Sequence, residues 1–260
     1  MATTERITSR SNPLVGRLRR LAQGNTAYRE AGEVWLEGEH LCAAARASRR
    51  PVQLAVLDDT ADADPALRSL AAAAARVVSL PSALFRAISA LESPGHIGFV
   101  LSLPAPAPID AHAASVVLDR VQDSGNVGSI LRSAAAFGVR QVLALGGTAA
   151  LWSPKVLRAG MGAHFALRLV EGLDEEALEQ LAVPLVATDS HAARSLDDAA
   201  IPRPCAWVFG HEGQGVSASL RTRCALALRI AQPGGEESLN VAAAAAVCLY
   251  EAVRRGGATQ

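Results

Sequence analysis

Three polar runs in the second half of the chain hold residue types that could handle a proton, an oxyanion or a phosphate. The first is Asp123-Ser124-Gly125-Asn126-Val127-Gly128-Ser129-Ile130-Leu131-Arg132. It follows the apolar run Ser115–Leu118 and opens a helical pattern, with Val127, Leu131 and Ala134 on one face. Asn126 is placed to cap that helix. Gly128 and Arg132, four apart, share another face, where the glycine leaves room beside the guanidinium. A capped surface helix would look the same. The second run, Val208-Phe209-Gly210-His211-Glu212-Gly213-Gln214-Gly215, has three glycines within six residues, so its backbone could approach a ligand closely. It fits neither GxxxxGK[ST] nor GxGxxG, which disfavours nucleoside triphosphates. His211 by itself reads as a loop residue rather than a catalyst. The third run goes from Ile230-Ala231-Gln232-Pro233 to Ser238-Leu239-Asn240-Val241. Ser238 reads as the N-cap of an alanine-rich final helix, with Asn240, a middling helix former, in its first turn.

The elements that must position these runs alternate along the chain. Strand patterns at Ser115–Leu118, Gln141–Leu145, Leu185–Thr188, Ala206–Phe209 and Ala225–Ile230 are separated by helical ones, which predicts a parallel sheet of five or six strands. Helices are expected over Asn126–Phe137, Pro154–Ala159, Asp174–Leu181 and Ser238–Arg254. Glycine-rich turns follow the strand ends, where ligands bind in such sheets. Before this region stands a smaller α/β pattern: a basic amphipathic helix over Asn12–Gln23, then strands and helices up to the strand Ile97–Leu103. The alternating prolines Pro104, Pro106 and Pro108 make a stiff spacer. The expected organisation is therefore residues 1–103, a linker over 104–111 and a second domain over 112–260.

Composition narrows the classes. The chain has 260 residues, half of them hydrophobic, and a formal net charge of zero. Residues 1–50 nevertheless hold nine arginines against five glutamates, and Lys155 is the single lysine. Phosphate contacts therefore fall mostly to arginine, which binds bidentately. No apolar stretch is long enough to span a membrane, and the first residues lack a signal-peptide core. Cys42, Cys205, Cys224 and Cys248 have no CxxC spacing, so a zinc site or disulfide framework is not expected and a cytoplasmic setting is.

In this order and spacing, the three runs resemble the three motifs of the SpoU/TrmH family of S-adenosylmethionine-dependent RNA ribose 2′-O-methyltransferases, in the SPOUT superfamily. The match covers roughly residues 112–255. The start Ile7-Thr8-Ser9-Arg10-Ser11-Asn12-Pro13-Leu14-Val15 and Leu36-Glu37-Gly38 are similar to the family's small ribosomal-protein-like α/β domain, which engages RNA. The resemblance implies a C-terminal SPOUT domain with a parallel sheet and deep trefoil knot, a homodimer packed through the first and last helices of that domain, and no metal. Asn126 and Arg132 match the first-motif pair, Glu212 the second-motif acid, and Ser238 and Asn240 the third-motif polar pair. Leu145, Gly146, Phe209, Gly210, Gly213, Ile230, Ser238 and Leu239 match the wall that holds the methyl donor. Arg17, Arg19, Arg20, Lys155 and Arg158 are candidate RNA contacts, although Lys155 and Arg158 also suit a solvated helix. Ser93-Pro94-Gly95-His96-Ile97 stands where the family often has Pro-Gln-Gly, so the glutamine is missing.

In the family the arginine is proposed to activate the ribose hydroxyl. Arginine has a pKa of roughly 12.5–13.8, so fewer than about 1 in 10⁵ guanidiniums are neutral at pH 7. Arg132 is therefore either a base in a strongly perturbed setting or an electrostatic stabiliser of the developing alkoxide. The leading expectation is methylation of ribosomal RNA. Transfer RNA is the alternative within the class, and a non-catalytic RNA-binding protein with the same fold is the alternative outside it. A dinucleotide oxidoreductase is disfavoured because no glycine fingerprint with a downstream acid follows the first strand.

Overall fold

The computed structural model of the chain describes residues 4–61, 63–235 and 238–256. Glu236 and Glu237, inside the third run, lie outside them. Contacts divide the chain into two compact units: Met1–Ala105 with Trp152–Phe165, and Pro106–Leu151 with Ala166–Gln260.

In chain order the first stretch contains β1 (Glu5–Arg6), α1 (Pro13–Gln23), α2 (Ala27–Ala31), β2 (Glu33–Glu37), α3 (Glu39–Ala47) and β3 (Val52–Asp58). It continues with α4 (Pro65–Ala71), β4 (Ala74–Leu80), α5 (Ser82–Ile88) and β5 (Ile97–Ser102). The basic amphipathic pattern does form a helix. Asn12 caps α1 by accepting from Leu14 N at 2.9 Å, and Val15, Leu18 and Leu21 turn inward. They pack on Trp35, Val56, Val78 and Phe85. The sheet order is β1-β4-β3-β5-β2, with β1, β4 and β3 parallel and β5 antiparallel to both its neighbours.

The remainder comprises β6 (Ser115–Leu118), α6 (Ser124–Ala136), β7 (Gln141–Leu145), α7 (Pro154–Gly160, grouped with the first unit), β8 (Arg168–Leu173) and β9 (Leu185–Thr188). Then come β10 (Arg194–Ser195), β11 (Ala206–Phe209), α8 (Ala218–Arg223), β12 (Leu226–Arg229) and α9 (Val241–Gly256). The sheet runs β10-β12-β9-β11-β6-β7-β8, and every pairing is parallel. It has seven strands rather than the expected five or six, because β8 and the two-residue β10 carry little apolar alternation. The expected helix Asp174–Leu181 is only a 3₁₀ segment, Glu176–Gln180. Leu178 is its single buried residue, too little apolar face for an α-helix.

Val127, Ile130, Leu131 and Ala134 bury one face of α6 completely, a stripe with the 3.6-residue period. Among the described residues no helix is long and apolar enough to cross a membrane.

Candidate active site

A parallel sheet puts all strand C-termini on one edge. The first run follows β6, the second leads out of β11 and the third follows β12, so the first run meets two segments 86 and 114 residues further along the chain on that edge. Their side chains bond to one another. Asn126 Nδ2 donates to Glu212 Oε1 at 3.1 Å, and Asn240 Nδ2 donates to Asn126 Oδ1 at 2.9 Å. Glu212 also accepts from the backbone of Asp123 at 3.1 Å and of Gln122 at 3.3 Å. Burial pushes the Glu212 carboxyl up, but the Asn126 amide and the surrounding backbone N–H groups outweigh it and hold the group below its ordinary range.

Two caps differ from expectation, and each difference frees or fixes a side chain. Asp123, not Asn126, caps α6, accepting from Asn126 N at 2.8 Å. The helix starts two residues earlier, so the Asn126 side chain is available for the network. Asn240, not Ser238, caps α9. Its Oδ1 accepts from Ala242 N at 2.9 Å and Ala243 N at 3.2 Å, which leaves its Nδ2 for Asn126.

Beside this network lies a cavity of about 500 Å³, a size typical of small-molecule sites. Of the sequence-derived residues, Gly210, Glu212, Gly213, Ile230, Ser238, Leu239 and Asn240 line it. Asn126 reaches it through Glu212 and Asn240. Three expected wall residues do not line it. Phe209 is fully buried and stacks on Trp207 with ring centroids 6.3 Å apart. Leu145 belongs to the core with Leu178 and Val183, and Gly146 bonds to Leu173 at the β8 side. Leu145 ends β7 and Gly146 follows it, two strands away from β11, so the sheet order carries both past the cavity.

Arg132 stands apart. Six residues at 100° each set it about 120° around α6 from Asn126. It is exposed, and among the described residues its guanidinium has no hydrogen-bonding partner.

The sequence reading missed one wall: Thr188 at the end of β9 and Asp189, Ser190 and His191 after it, with Arg221 from α8. Arg221 Nη1 is 3.0 Å from Asp189 Oδ2. Burial raises the Asp189 carboxyl, but the His191 backbone N–H and Arg221 lower it more, and it ends below its ordinary range. A Thr-Asp-Ser-His run at a strand end was the available signal.

The loop that carries Glu212 is tightly built. A Cβ on Gly210 would lie 2.1 Å from the Gly215 carbonyl carbon, so only glycine fits there. Asp119, 2% exposed at the end of β6, accepts from Ser217 N at 2.6 Å, and Arg120 Nη1 donates to Gln214 Oε1 at 3.0 Å.

Of the candidate RNA contacts, Arg17 is ion-paired with Glu33 at 3.1 Å. Arg19, Arg20 and Lys155 are exposed, and Arg158 is half-buried.

The SpoU rRNA Methylase family matches residues 113–250. An uncharacterised tRNA/rRNA methyltransferase of Synechocystis sp. is 33% identical over 96% of this chain and 93% of its own length. The 23S rRNA (uridine(2479)-2′-O)-methyltransferase of Streptomyces viridochromogenes is 34% identical over 63% of this chain, which spans 62% of that enzyme. The crystal structure of the SpoU methyltransferase AviRb from Streptomyces viridochromogenes with AdoMet superposes with a TM-score of 0.85 at 27% identity. That superposition covers 96% of this chain and all of AviRb.

Proposed function

Since the chain belongs to the SpoU rRNA methylase family, we propose that it is an S-adenosylmethionine-dependent methyltransferase acting on a ribose 2′-hydroxyl of ribosomal RNA. The observation that carries this reading is the bonded chain Glu212–Asn126–Asn240, which joins the three runs at the rim of one cavity. The cavity fits the donor chemically. Gly210, Gly213 and Gly215 offer backbone, Leu228, Ile230 and Leu239 offer apolar contact for a purine, and Asp189 and Arg221 offer opposite charges for a zwitterionic tail. When bound, the donor supplies an electrophilic methyl group on sulfur.

The chain's own residues have three tasks: to hold the donor, to align the ribose and to manage the hydroxyl proton. Glu212 is ionised and fully engaged by N–H donors, so its role is to lock the motif loop against α6 rather than to take that proton. Asn240 fixes the start of α9 and orients Asn126. Arg132, exposed and unpaired among the described residues, is the group for the ribose oxygen, either accepting its proton or stabilising the charge that develops as the proton leaves.

The same reading assigns residues 1–103 as an RNA substrate-binding domain and 112–260 as the methyltransferase domain, joined by the linker 104–111. Arg19, Arg20 and Lys155, exposed and unpaired among the described residues, are the cations for phosphate; the Glu33 partner makes Arg17 a weaker contributor. A homodimer is supported by the apolar stripe Val247, Tyr250 and Val253 on α9, which is 40%, 54% and 49% exposed. The trefoil knot belongs to this reading as the family's feature, and a cytoplasmic setting is supported by four free cysteines.

Mapping ribose methylation across total RNA from cells with and without the gene tests the proposal. Loss of one ribosomal signal is the expected result. Loss of a transfer RNA signal instead moves the substrate. No loss, together with no donor binding by calorimetry, leaves an RNA-binding protein without chemistry.

A further inference from the structure

His211 to Gly215 form one wall of the cavity and carry Glu212. The ends of this turn bond to each other: His211 N donates to Gly215 O at 3.0 Å, and Gly215 N donates to His211 O at 2.8 Å. Of the three amide N–H groups between these ends, that of Glu212 serves its own carboxylate, and the other two converge on one atom. Gly213 N lies 3.0 Å and Gln214 N 3.3 Å from Nδ1 of His211. A ring nitrogen accepts only through its lone pair, so Nδ1 is bare and the neutral ring carries its hydrogen on Nε2. An imidazolium has no lone pair and would set a third N–H against these two.

We propose that His211 is a positioning residue: its neutral Nε2–H tautomer holds the 211–215 turn in its donor-binding shape, and protonation of Nδ1 releases the turn. The proposal rests on reading the cavity as the methyl-donor site. The turn's other ties do not replace the lost acceptor. Glu212 takes N–H groups from Gln122, Asp123 and Asn126. Asp119 takes Ser217 N and pairs with Arg120, which bonds the Gln214 side chain and not its backbone N–H. Asp189, Arg221 and His191 face the cavity from β9 and α8, with Asp189 occupied by Arg221 and by the His191 backbone. Among the described residues, no second acceptor serves the Gly213 or Gln214 N–H. Release of the turn would show in donor affinity and donor KM before kcat, because the turn is wall and not reacting group.

The test is S-adenosylmethionine titration by calorimetry on the full chain at about pH 8 and about pH 5.5, since histidine is the side chain type that changes charge between about pH 5 and 8. Wild type should lose about tenfold in affinity on acidification, as expected when two backbone bonds are given up. His211→Asn places an oxygen near the Nδ1 position that accepts at both pH values, so its affinity should change less than about twofold. His211→Ala should bind weakly at both. His191→Gln should keep the wild-type fall. An acid fall in His211→Asn equal to that of wild type, or no fall in wild type, overturns the proposal. So does a fall abolished by His191→Gln alone. In the donor-free protein, ¹⁵N NMR of the His211 ring near pH 8 should find the hydrogen on Nε2; a hydrogen on Nδ1 also overturns the proposal. Absence of donor binding by wild type at pH 8 sinks the methyl-donor reading instead, and the ring spectrum still decides the tautomer.

Discussion

Asn126 is oriented by what it gives and what it takes. Its Nδ2 faces the Glu212 carboxylate and its Oδ1 faces the Asn240 amide, so only one amide orientation satisfies both. Glu212 depends on the same pattern. Its carboxyl is held below the ordinary value of 4.5, so its contribution is complete above that value and is lost as pH falls through the lower folded-state value. Stability measured by urea unfolding should therefore drop on acidification below about pH 4.5 in wild type, and less in Glu212→Gln. The Gln variant should also bind donor about tenfold more weakly at neutral pH, because an amide N–H₂ then faces backbone donors. Arg132 makes a contrasting prediction. Arg132→Ala should reduce methylation by about 10²-fold or more while donor affinity stays near wild type, since Arg132 does not line the cavity. Single-turnover rates and calorimetry separate the two quantities. Full methylation by Arg132→Ala would remove the residue from the chemistry, and a pH–rate profile of wild type distinguishes a base from a stabiliser.

At the scale of elements, two helix starts build the site. Asp123 caps α6 and Asn240 caps α9, and each cap sets the side chains of the following turn. Asn240 has two separable duties: Oδ1 caps the helix and Nδ2 donates to Asn126. Asn240→Ala should cost about 1 kcal/mol of stability, the usual value of a lost cap. Asn240→Asp keeps the acceptor and should retain most of that stability, yet its carboxylate confronts Asn126 Oδ1 without a hydrogen. Activity should then fall in both variants while melting temperature falls mainly in the first. Equal melting losses in both would mean that the cap contributes little. The last turn of α9 is tied as well. Arg255 donates to Leu196 O at 2.8 Å and Ala199 O at 2.7 Å, and Glu251 braces it at 2.5 Å. Hydrogen bonds from Arg254 and Arg255 hold the Glu251 carboxyl down at about 2.

At the scale of the molecule, α9 carries an apolar stripe that the described residues leave partly exposed. Val247, Tyr250 and Val253 recur every three residues, and Tyr250 meets Phe137 edge-on at 5.9 Å. If the proposed homodimer packs through this stripe, Tyr250→Glu should yield monomers in analytical ultracentrifugation without altering far-UV circular dichroism. An unchanged sedimentation coefficient would remove this stripe from the interface. The first unit has its own core, built by α1 on β2, β3 and β4, and Arg19 and Arg20 of α1 are exposed on its surface.

Much of this was legible in the amino-acid order. Periodicity placed β6, β7, β9 and β11 at their observed bounds, because each is a buried apolar run closed by glycine or polar residues. The residue types of Asn126, Glu212, Ser238 and Asn240 marked them as a set through their resemblance to three motifs. Other features depend on neighbours distant in sequence. Asn126 reads as the cap of α6 by residue type alone, and only the bond that its Nδ2 donates to Glu212 shows that its side chain is otherwise engaged, with Asp123 as the cap. Leu145 and Gly146 look like a wall until the strand order sets β7 beyond β6, two strands from β11. Asp189 and Arg221 meet only because β9 lies beside β11 and α8 returns across it, and the bare Nδ1 of His211 exists only in a closed turn. Local pattern determines which face of a strand or helix is buried, since that follows from backbone period. Which polar groups share a site follows from the order in which parallel strands assemble, and that order is fixed by packing across the whole sheet.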